Sequence, residues 1–530
     1  MELSKLFQRP PRYAVSSILC ALSGFSFGIE TSIIGPILVM DDFRRTIGGS
    51  SQATVQGLIV SSLILAAAFS SLVAGRLADA VGRVRGIAIG TIIFAIGAAL
   101  QAGSINIAMF IVGRIVEGVG EGLYVGPMIV YITEISTPQH RAALTTAPQL
   151  LHTLGLVVGF FACYGTANIP SSLSWRLPLI LLAAYSFAFT IMAVLVLPES
   201  PRWLTLRGRG NETAAIWDKL GVDPVDREKI VGQLSDNSDV DIERREIKNE
   251  KQVPVTAGET KQTLNESKQV TILEALSDPN TRPQLLAALF LMGIIQLSGI
   301  DGVLFYAPLV FQQAGLTSNQ ASFLASGVSG IVIFAVTVPA TIWADSWGRR
   351  PSLILGGISM AVLMFLIGGL YAGDTVHENV GAGRWIVIVA IYIYIVIFCI
   401  SWAVHVKVFA AEIQPKRTRA TATGMAYVSY SLSNFLVALI VPIMLAKTEY
   451  GAYFLFGGCL ALTAAVCWLF MPETRGRSLD EIEESFHQKG HFRGVRQRAG
   501  GDLNGDAHLA FSREGATRRQ AKKAVLAESL

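Results

Sequence analysis

The sequence predicts an all-α integral membrane protein with about twelve membrane-spanning helices, arranged as two similar halves of six. Of its 530 residues, 52% are hydrophobic and 15% are charged, with a mean hydropathy of +0.49, whereas globular domains carry about 25% charged residues. Apolar runs of roughly 20 residues, long enough to cross a hydrocarbon core of about 30 Å, recur along the chain. Charged motifs also repeat in matching order in the two halves.

Each apolar run is expected to form one helix, because backbone polar groups inside a bilayer must be satisfied within the segment. In chain order, the runs lie at residues 14–40, 55–75, 86–105, 108–133, 144–168, 176–197, 284–311, 323–344, 352–372, 385–411, 422–446 and 452–471.

Two long hydrophilic stretches divide the chain. The first separates the sixth run from the seventh, and the second follows the twelfth. The expected organisation is a cytosolic N-terminal segment at 1–13, a six-helix bundle at 14–204, a cytosolic linker at 205–282, a second six-helix bundle at 283–479 and a cytosolic tail at 480–530.

Lys and Arg are concentrated in alternate loops, as around Arg83, Arg202 and Arg349. The positive-inside rule therefore predicts that both termini are cytosolic. The first apolar run is too long for the core of a cleavable signal and contains Glu30, so it is expected to remain as the first span. The sequence thus predicts a multi-pass protein, with the plasma membrane as its expected location.

The charged loops repeat between the halves. Asp79 follows the second run and Asp345 the eighth, "YITEISTPQHR" follows the fourth and "FAAEIQPKRTR" the tenth, and "PESPRW" follows the sixth and "PETRGR" the twelfth. The offsets between matching positions are 266, 278 and 274 residues (345−79, 412−134 and 472−198). The halves are therefore an internal duplication, which suits a transporter whose halves rock around a midplane site.

At these loops, acids lie within reach of arginines. Partly desolvated pairs of this kind can hold the cytosolic ends of the two halves together and break when the halves separate, which predicts a cytosolic gate. The alternative is that the charges only set topology and anchor loops, although topology needs no paired acid. The predicted gate residues are Asp79, Arg83, Glu134, Arg141, Glu199, Arg202, Asp345, Arg349, Glu412, Arg419 and Glu473.

Eight motifs together resemble the sugar porter family of the major facilitator superfamily, and most closely its fungal sugar transporters. They are "GRLADAVGR", "GRIVEGVGEG", "YITEISTPQHRA", "PESPRWL", "QLSGIDGVLFYAP", "DSWGRRP", "EIQPKRTRA" and "PETRGRSL", in the family's order over residues 14 to about 480. The resemblance implies the major facilitator fold, with twelve helices as two pseudo-symmetric halves, alternating access and a monosaccharide-class substrate.

The resemblance also implies a proton-coupling pair. Glu30 lies in the middle of the first run, where a carboxylate is costly unless it is protonated or paired. In proton-coupled members of the family, an aspartate at the matching position pairs with the arginine that is Arg114 here. The alternative is a static buried ion pair without a role in transport.

Two glutamines match sugar-contacting positions of the family. Gln149 matches the glutamine of the fifth span, and Gln296 matches the second of two paired glutamines in the seventh. Amides supply both the donor and the acceptor that hydroxyl-rich ligands require, although such amides also join helices to one another. Phe305 and Trp402 are further candidates, as apolar faces for the sugar ring.

The expected substrate site departs from the family's pattern. Ile295 replaces the first paired glutamine, Asp301 and Tyr430 replace asparagines, and Lys407 replaces a sugar-stacking tryptophan. Lys407 would either pair with Asp301 or Glu412, or receive the carboxylate of an acidic sugar. The internal pair is favoured, because buried ammonium ions normally have protein partners.

Other classes of function find little support. Gly118, Gly122 and Gly126 recur every four residues in an apolar helix, which predicts a packing face rather than a nucleotide site. The sequence shows no Walker motif, and its five cysteines have no metal-type spacing, so neither a cofactor nor a metal is expected. No catalytic constellation predicts an enzyme.

The sequence therefore predicts a proton-coupled symporter of a hexose or pentose, acting as a monomer in the lipid bilayer, with sugar and proton as partners and no nucleic acid. One alternative is a facilitative sugar or uronate carrier, which Glu30 opposes because facilitation needs no buried titratable acid. The other is a non-transporting sugar sensor, which the C-terminal tail does not favour because it has no obvious interaction motif.

Overall fold

The computed structural model describes residues 11–49, 52–137, 139–222, 227, 281–316, 318–343, 347–376, 381–414 and 419–475. Most of the predicted linker, the whole 480–530 tail and the predicted gate residue Asp345 lie outside the described residues, as does the side chain of Arg419.

Among the described residues up to 222, six long helices and three short ones are present, the last of them at the start of the predicted linker. They are α1 (Arg12–Val39), the short α2 (Asp41–Thr46), α3 (Ala53–Val81), α4 (Arg83–Ala102), α5 (Ile107–Ile135), α6 (Arg141–Thr166), α7 (Leu173–Val196), and the short α8 (Pro201–Leu206) and α9 (Gly210–Leu220).

The second half repeats this order with more interruptions. Its helices are α10 (Arg282–Ile294), α11 (Ile300–Phe305), α12 (Ala307–Gln313), α13 (Asn319–Trp343), α14 (Arg349–Ala372), α15 (Gly383–Ile400), α16 (Trp402–Glu412), α17 (Arg419–Lys447) and α18 (Gly451–Phe470).

The all-helical membrane architecture is confirmed. Among the described residues, eleven helical segments are long and apolar enough to cross a membrane, with α15 and α16 counted as one, and no strand is present. These segments coincide with eleven of the twelve apolar runs, which follows from the requirement that backbone groups in lipid be satisfied within the helix.

The prediction of a continuous seventh helix is wrong. The run divides into α10, a single 3-10 turn at Gln296–Ser298, α11 and α12. Gly299 stands at the break with φ +90°, a backbone conformation that favours glycine. Irregular backbone is tolerated at membrane depth where it is enclosed by protein or lines a cavity. The break therefore brings polar residues of this run into the interior of the bundle.

Glycines allow the helices of the first half to pack closely around α5. A Cβ on Gly118 or Gly122 would collide with α3, and one on Gly120 would collide with α4. The predicted packing face is thus present at Gly118 and Gly122, whereas Gly126 faces open space. This close approach of α3 and α4 to α5 encloses the polar side chains that alternate with the glycines of α5.

The two halves meet at one end of the bundle. We call the end that carries α8 the linker side and the opposite end the far side. On the far side, Gly57 of α3 lies against the backbone of Leu439 in α17, and Gln320 Nε2 donates to Asn168 Oδ1 at 2.9 Å. Nearer the linker side, a Cβ on Gly75 of α3 or Gly424 of α17 would meet nothing within 4 Å. The contacts between the halves described here therefore lie on the far side.

Candidate functional site

Glu30 and Arg114 form an ion pair in the first half, as the sequence predicts. Arg114 Nη1 binds Glu30 Oε1, and each side chain is only 2% exposed. Arg114 Nε donates to the backbone oxygen of Ile59 at 3.0 Å, and Nη2 donates to that of Val60 at 3.3 Å. α3 thus fixes the guanidinium through backbone contacts, while Nη1 is left to bind carboxylates.

Two further acids lie beside this pair, and sequence reasoning missed both. Glu117 is fully buried one turn along α5, with its Oε2 3.5 Å from Arg114 Nη1 and 2.5 Å from Gln101 Nε2. Glu121 follows one turn later, and its electrostatic neighbours are Glu30, Glu117 and Arg114. Both acids lie within the quoted "GRIVEGVGEG" motif, so the signal that marks them is charge inside an apolar span.

The second half contributes a polar cluster at the broken helix. Gln296 Nε2 donates to Asp301 Oδ2 at 2.7 Å. Lys407 Nζ lies 5.5 Å from the centre of the Tyr430 ring, at cation–π distance. No ion pair within 4.0 Å joins Lys407 to a carboxylate in the described part of the chain. The favoured internal ion pair therefore does not form by direct contact in this state.

Residues of the two clusters face each other between the halves. Lys407 is the charged neighbour of His152 in α6, and Tyr430 lies within the electrostatic reach of Glu121. The His152 ring packs against Phe27 with centroids 4.5 Å apart, and its Nδ1 has no hydrogen-bond partner. His152 is half-buried, and the sequence analysis passed over it as it did the two acids.

The remaining predicted substrate residues differ in burial and in the helices that they contact. Gln149 is exposed, on the same face of α6 as the buried Thr153. Phe305 is buried at the end of α11, with its backbone oxygen close to Gly35 of α1. Trp402 is fully buried against α14, and its Nε1 donates to Leu353 O at 3.1 Å. The Trp402 ring therefore packs on its own half and is not brought to the polar cluster.

The first predicted gate cluster is a network within the first half. Arg83 binds Asp79, and its Nε is 3.2 Å from Glu134 Oε2. Glu199 Oε1 accepts from the backbone nitrogens of Arg83 at 2.8 Å and Val84 at 3.2 Å. Glu199 therefore caps the first turn of α4, where unsatisfied N–H groups favour an anion.

The second half repeats this network with equivalent residues. Arg349 Nη2 is 3.4 Å from Glu412 Oε1, and Glu473 Oε1 accepts from the backbone nitrogen of Arg349 at 3.0 Å. Arg141 and Arg202 take no part in the contacts described for either cluster. The described pairs thus join helices of the same half, and a gate that holds the two halves together stays a prediction.

Comparison with known proteins identifies the family. The family described as "Sugar (and other) transporter" matches residues 16–486. The chain belongs to this family. Among its relatives, the glucose transporter GlcP of Staphylococcus epidermidis is 30% identical, over 89% of this chain and 97% of its own length. The low-affinity glucose transporter HXT1 of Saccharomyces cerevisiae is 28% identical, over 89% and 82%.

Solved structures agree on the fold. The inward-open form of the xylose transporter XylE from E. coli superposes with a TM-score of 0.70 at 21% identity, covering 88% of this chain and 98% of that one. A XylE structure bound to a bromodeoxyglucose is described as that of a major facilitator superfamily symporter. The fold is therefore that of the major facilitator superfamily. Relatives come from bacteria, plants and yeasts, so the comparison does not single out a fungal group.

Proposed function

We propose that this member of the sugar transporter family is a secondary active transporter that couples movement of a monosaccharide to that of a proton by alternating access. The observation that carries the proposal is the buried Glu30–Arg114 pair with Glu117 beside it. A facilitator needs no titratable acids at this depth, and they are costly to bury. The relatives named as glucose and polyol transporters support a hydroxyl-rich substrate.

The substrate site lies between the two polar clusters. Gln149, Gln296, Asp301 and Tyr430 supply donors and acceptors for hydroxyl groups. We take the linker side to be cytosolic, because Lys and Arg are concentrated there. Both termini would then be cytosolic, with the two bundles at 14–204 and 283–479 and the protein in the plasma membrane as a monomer.

Transport would proceed by rocking the halves. In the state described here, Glu30 Oε1 binds Arg114 Nη1. Binding of a proton to Glu30 would break this ion pair. The relative stability of the inward-open and outward-open states would then change, because an equilibrium shifts when an interaction differs in strength between the two states. The proton gradient can then drive sugar uptake.

Uptake by purified protein in proteoliposomes tests the proposal. With an inward-directed pH gradient, radiolabelled glucose or xylose should accumulate above the external concentration, and a protonophore should abolish the accumulation. Equilibration without accumulation would indicate a facilitator. Sugar binding without any uptake would indicate a sensor.

Acidic sugars are a second candidate class of substrate. Lys407 lies in the second-half cluster without a carboxylate within 4.0 Å among the described residues, and a buried ammonium is costly without an anionic partner. A sugar carboxylate would supply that partner through a charge-assisted contact. Counterflow with hexoses, pentoses, polyols and uronates as competitors distinguishes neutral from acidic substrates.

A further inference from the structure

Glu117 is the buried acid of the proton-coupling region that the Glu30–Arg114 pair leaves unexplained. Its side chain is fully buried where α4 and α5 approach each other closely. A Cβ added to Gly97 of α4 would collide with the backbone atoms of Glu117. Its Oε2 accepts from Gln101 Nε2 at 2.5 Å, whereas its Oε1 is buried with no hydrogen-bond partner. An ionised carboxylate would leave that oxygen uncompensated, so this arrangement suits an acid that carries a proton.

The charges around Arg114 do not balance if every acid is ionised. Nη1 of this one guanidinium binds Glu30 and lies 3.5 Å from Glu117 Oε2. In a low-dielectric interior, two carboxylates that share one cation do not both stay ionised, and the proton belongs to the pair rather than to either acid. In this state the direct contact is with Glu30, which leaves the proton on Glu117.

Arg114 is held so that it can serve either acid. Its Nε and Nη2 are fixed by the backbone oxygens of Ile59 and Val60, so Nη1 is the group that selects a carboxylate. Glu30 is on α1, whereas Glu117 is on the same helix as Arg114. A small shift of α1 therefore changes the Glu30 contact while that with Glu117 persists.

Few other charged groups act at this depth. Glu121 is the third acid, one turn further along α5. α3 carries no ionisable side chain between Ala53 and Gly75, and α4 carries none between Ile87 and Ala102, where Gln101 is the polar neighbour. α6 contributes His152, whose charged neighbour is Lys407. In the described part of the chain, the charged group that contacts Glu117 is therefore Arg114, which binds Glu30 through the same nitrogen.

We propose that the coupling proton is held by Glu30 and Glu117 as alternatives, with Arg114 paired to whichever acid is ionised. The inference rests on the proposed proton symport and assigns its proton to two residues. In this state the pair already holds one proton, on Glu117. Uptake of the coupling proton from solvent neutralises the remaining carboxylate and leaves Arg114 without an ionised partner, and release of a proton from either acid restores one carboxylate, so either acid alone can complete the cycle.

The test compares pH-driven accumulation by wild type, E30Q, E30Q/E117Q and the matched control E30Q/E121Q, with counterflow exchange as the measure of folded carrier. E30Q should keep a measurable part of the accumulation, because Glu117 remains to bind the proton. E30Q/E117Q should lose accumulation and keep exchange. E30Q/E121Q should behave like E30Q, because Glu121 makes no described contact with Arg114.

Several results would overturn the proposal. Loss of accumulation in E30Q with exchange intact would make Glu30 the sole proton carrier and leave symport itself standing. Retained accumulation in E30Q/E117Q, or its loss in E30Q/E121Q alone, would remove Glu117 from the site. Failure of wild type to accumulate would reject symport instead.

Infrared spectroscopy of the unmodified protein provides a readout that does not depend on transport or on the folding of E30Q. At neutral pH, the wild-type protein should show the carbonyl stretch of a protonated carboxylic acid shielded from solvent exchange. That band should be missing in E117Q, or shifted in E117D if E117Q does not fold. Absence of the band from wild type would overturn the proposal.

Discussion

At the scale of single residues, Lys407 distinguishes this substrate site from the family's pattern. If its ammonium receives a sugar carboxylate, K407M should weaken uronate transport about tenfold to a hundredfold, since hydrogen bonds to charged groups contribute about 1.5–3 kcal/mol. Neutral sugars should be much less affected, and K407R should retain more uronate transport than K407M. Counterflow with paired neutral and acidic sugars measures the difference.

The opposite pattern would point to an internal role for Lys407. Equal loss for all sugars in K407M, with rescue by adding D301N, would mean that the lysine balances Asp301 across the cluster. The acidic-sugar candidate would then be rejected, and a neutral hexose or pentose would remain.

Arg83 tests whether the linker-side networks stabilise the protein. Its guanidinium and the Glu134 carboxylate are 10% and 4% exposed, so R83A leaves a buried carboxylate with Ser200 as its remaining partner. The expected loss of unfolding free energy is about 3–5 kcal/mol. The control R209A breaks a pair whose side chains are 47% and 54% exposed, and it should cost about 0–1 kcal/mol. Equal thermal stability of the two variants in detergent would contradict a stabilising network.

Single residues also show where sequence reasoning stops. The Glu30–Arg114 pair follows from a family resemblance, because Arg114 stands in the "GRIVEGVGEG" motif and Glu30 matches the position of the family's aspartate. Glu117 escaped notice because it lies among glycines whose spacing had a sufficient packing explanation. Whether an aromatic ring lines a cavity depends on helix rotation, which hydropathy does not encode, and so Trp402 could not be assigned from sequence.

At the scale of elements, the break in the seventh segment requires a glycine at position 299. Gly299 has φ +90°, and a Cβ there would collide with the Phe456 ring. G299A should destabilise the protein by at least about 1–2 kcal/mol, the cost of a left-handed conformation for other residues. G458A is the control, because its Cβ meets nothing within 4 Å, and it should be neutral or stabilising by up to about 1 kcal/mol. A lower thermal unfolding temperature for G458A than for G299A would contradict the need for glycine at position 299.

The elements differ in how far the sequence predicts them. Long apolar runs determine eleven spans, since length and hydropathy suffice to define a helix in lipid. The seventh run is equally apolar, so hydropathy predicts the same helix there. Its division depends on the contacts of α11 and α12 with α1 and α17, which are tertiary and carry no local sequence pattern.

At the scale of the whole molecule, we expect the far-side contact between the halves to stabilise the state described here. Gly57 of α3 lies against Leu439 of α17, so G57W should prevent closure there and favour the far-side-open state. Cysteines introduced at the linker-side ends of α3 and α17, where the two halves face each other, should then be labelled less, in a background without the native cysteines. L58W is the matched control, because Leu58 is exposed on the same helix and should leave labelling unchanged. Equal labelling of G57W and L58W would contradict the assignment of the closed side.

The central claim is that sugar and proton move together, and the movement of protons measures it most directly. Proteoliposomes loaded with a pH indicator are prepared with equal pH on both sides, and an outside-to-inside gradient of a transported sugar is then applied. The account predicts that the lumen acidifies as sugar enters, and that the E30Q/E117Q variant takes up sugar without acidification. Sugar entry into wild-type vesicles at an unchanged internal pH would contradict it.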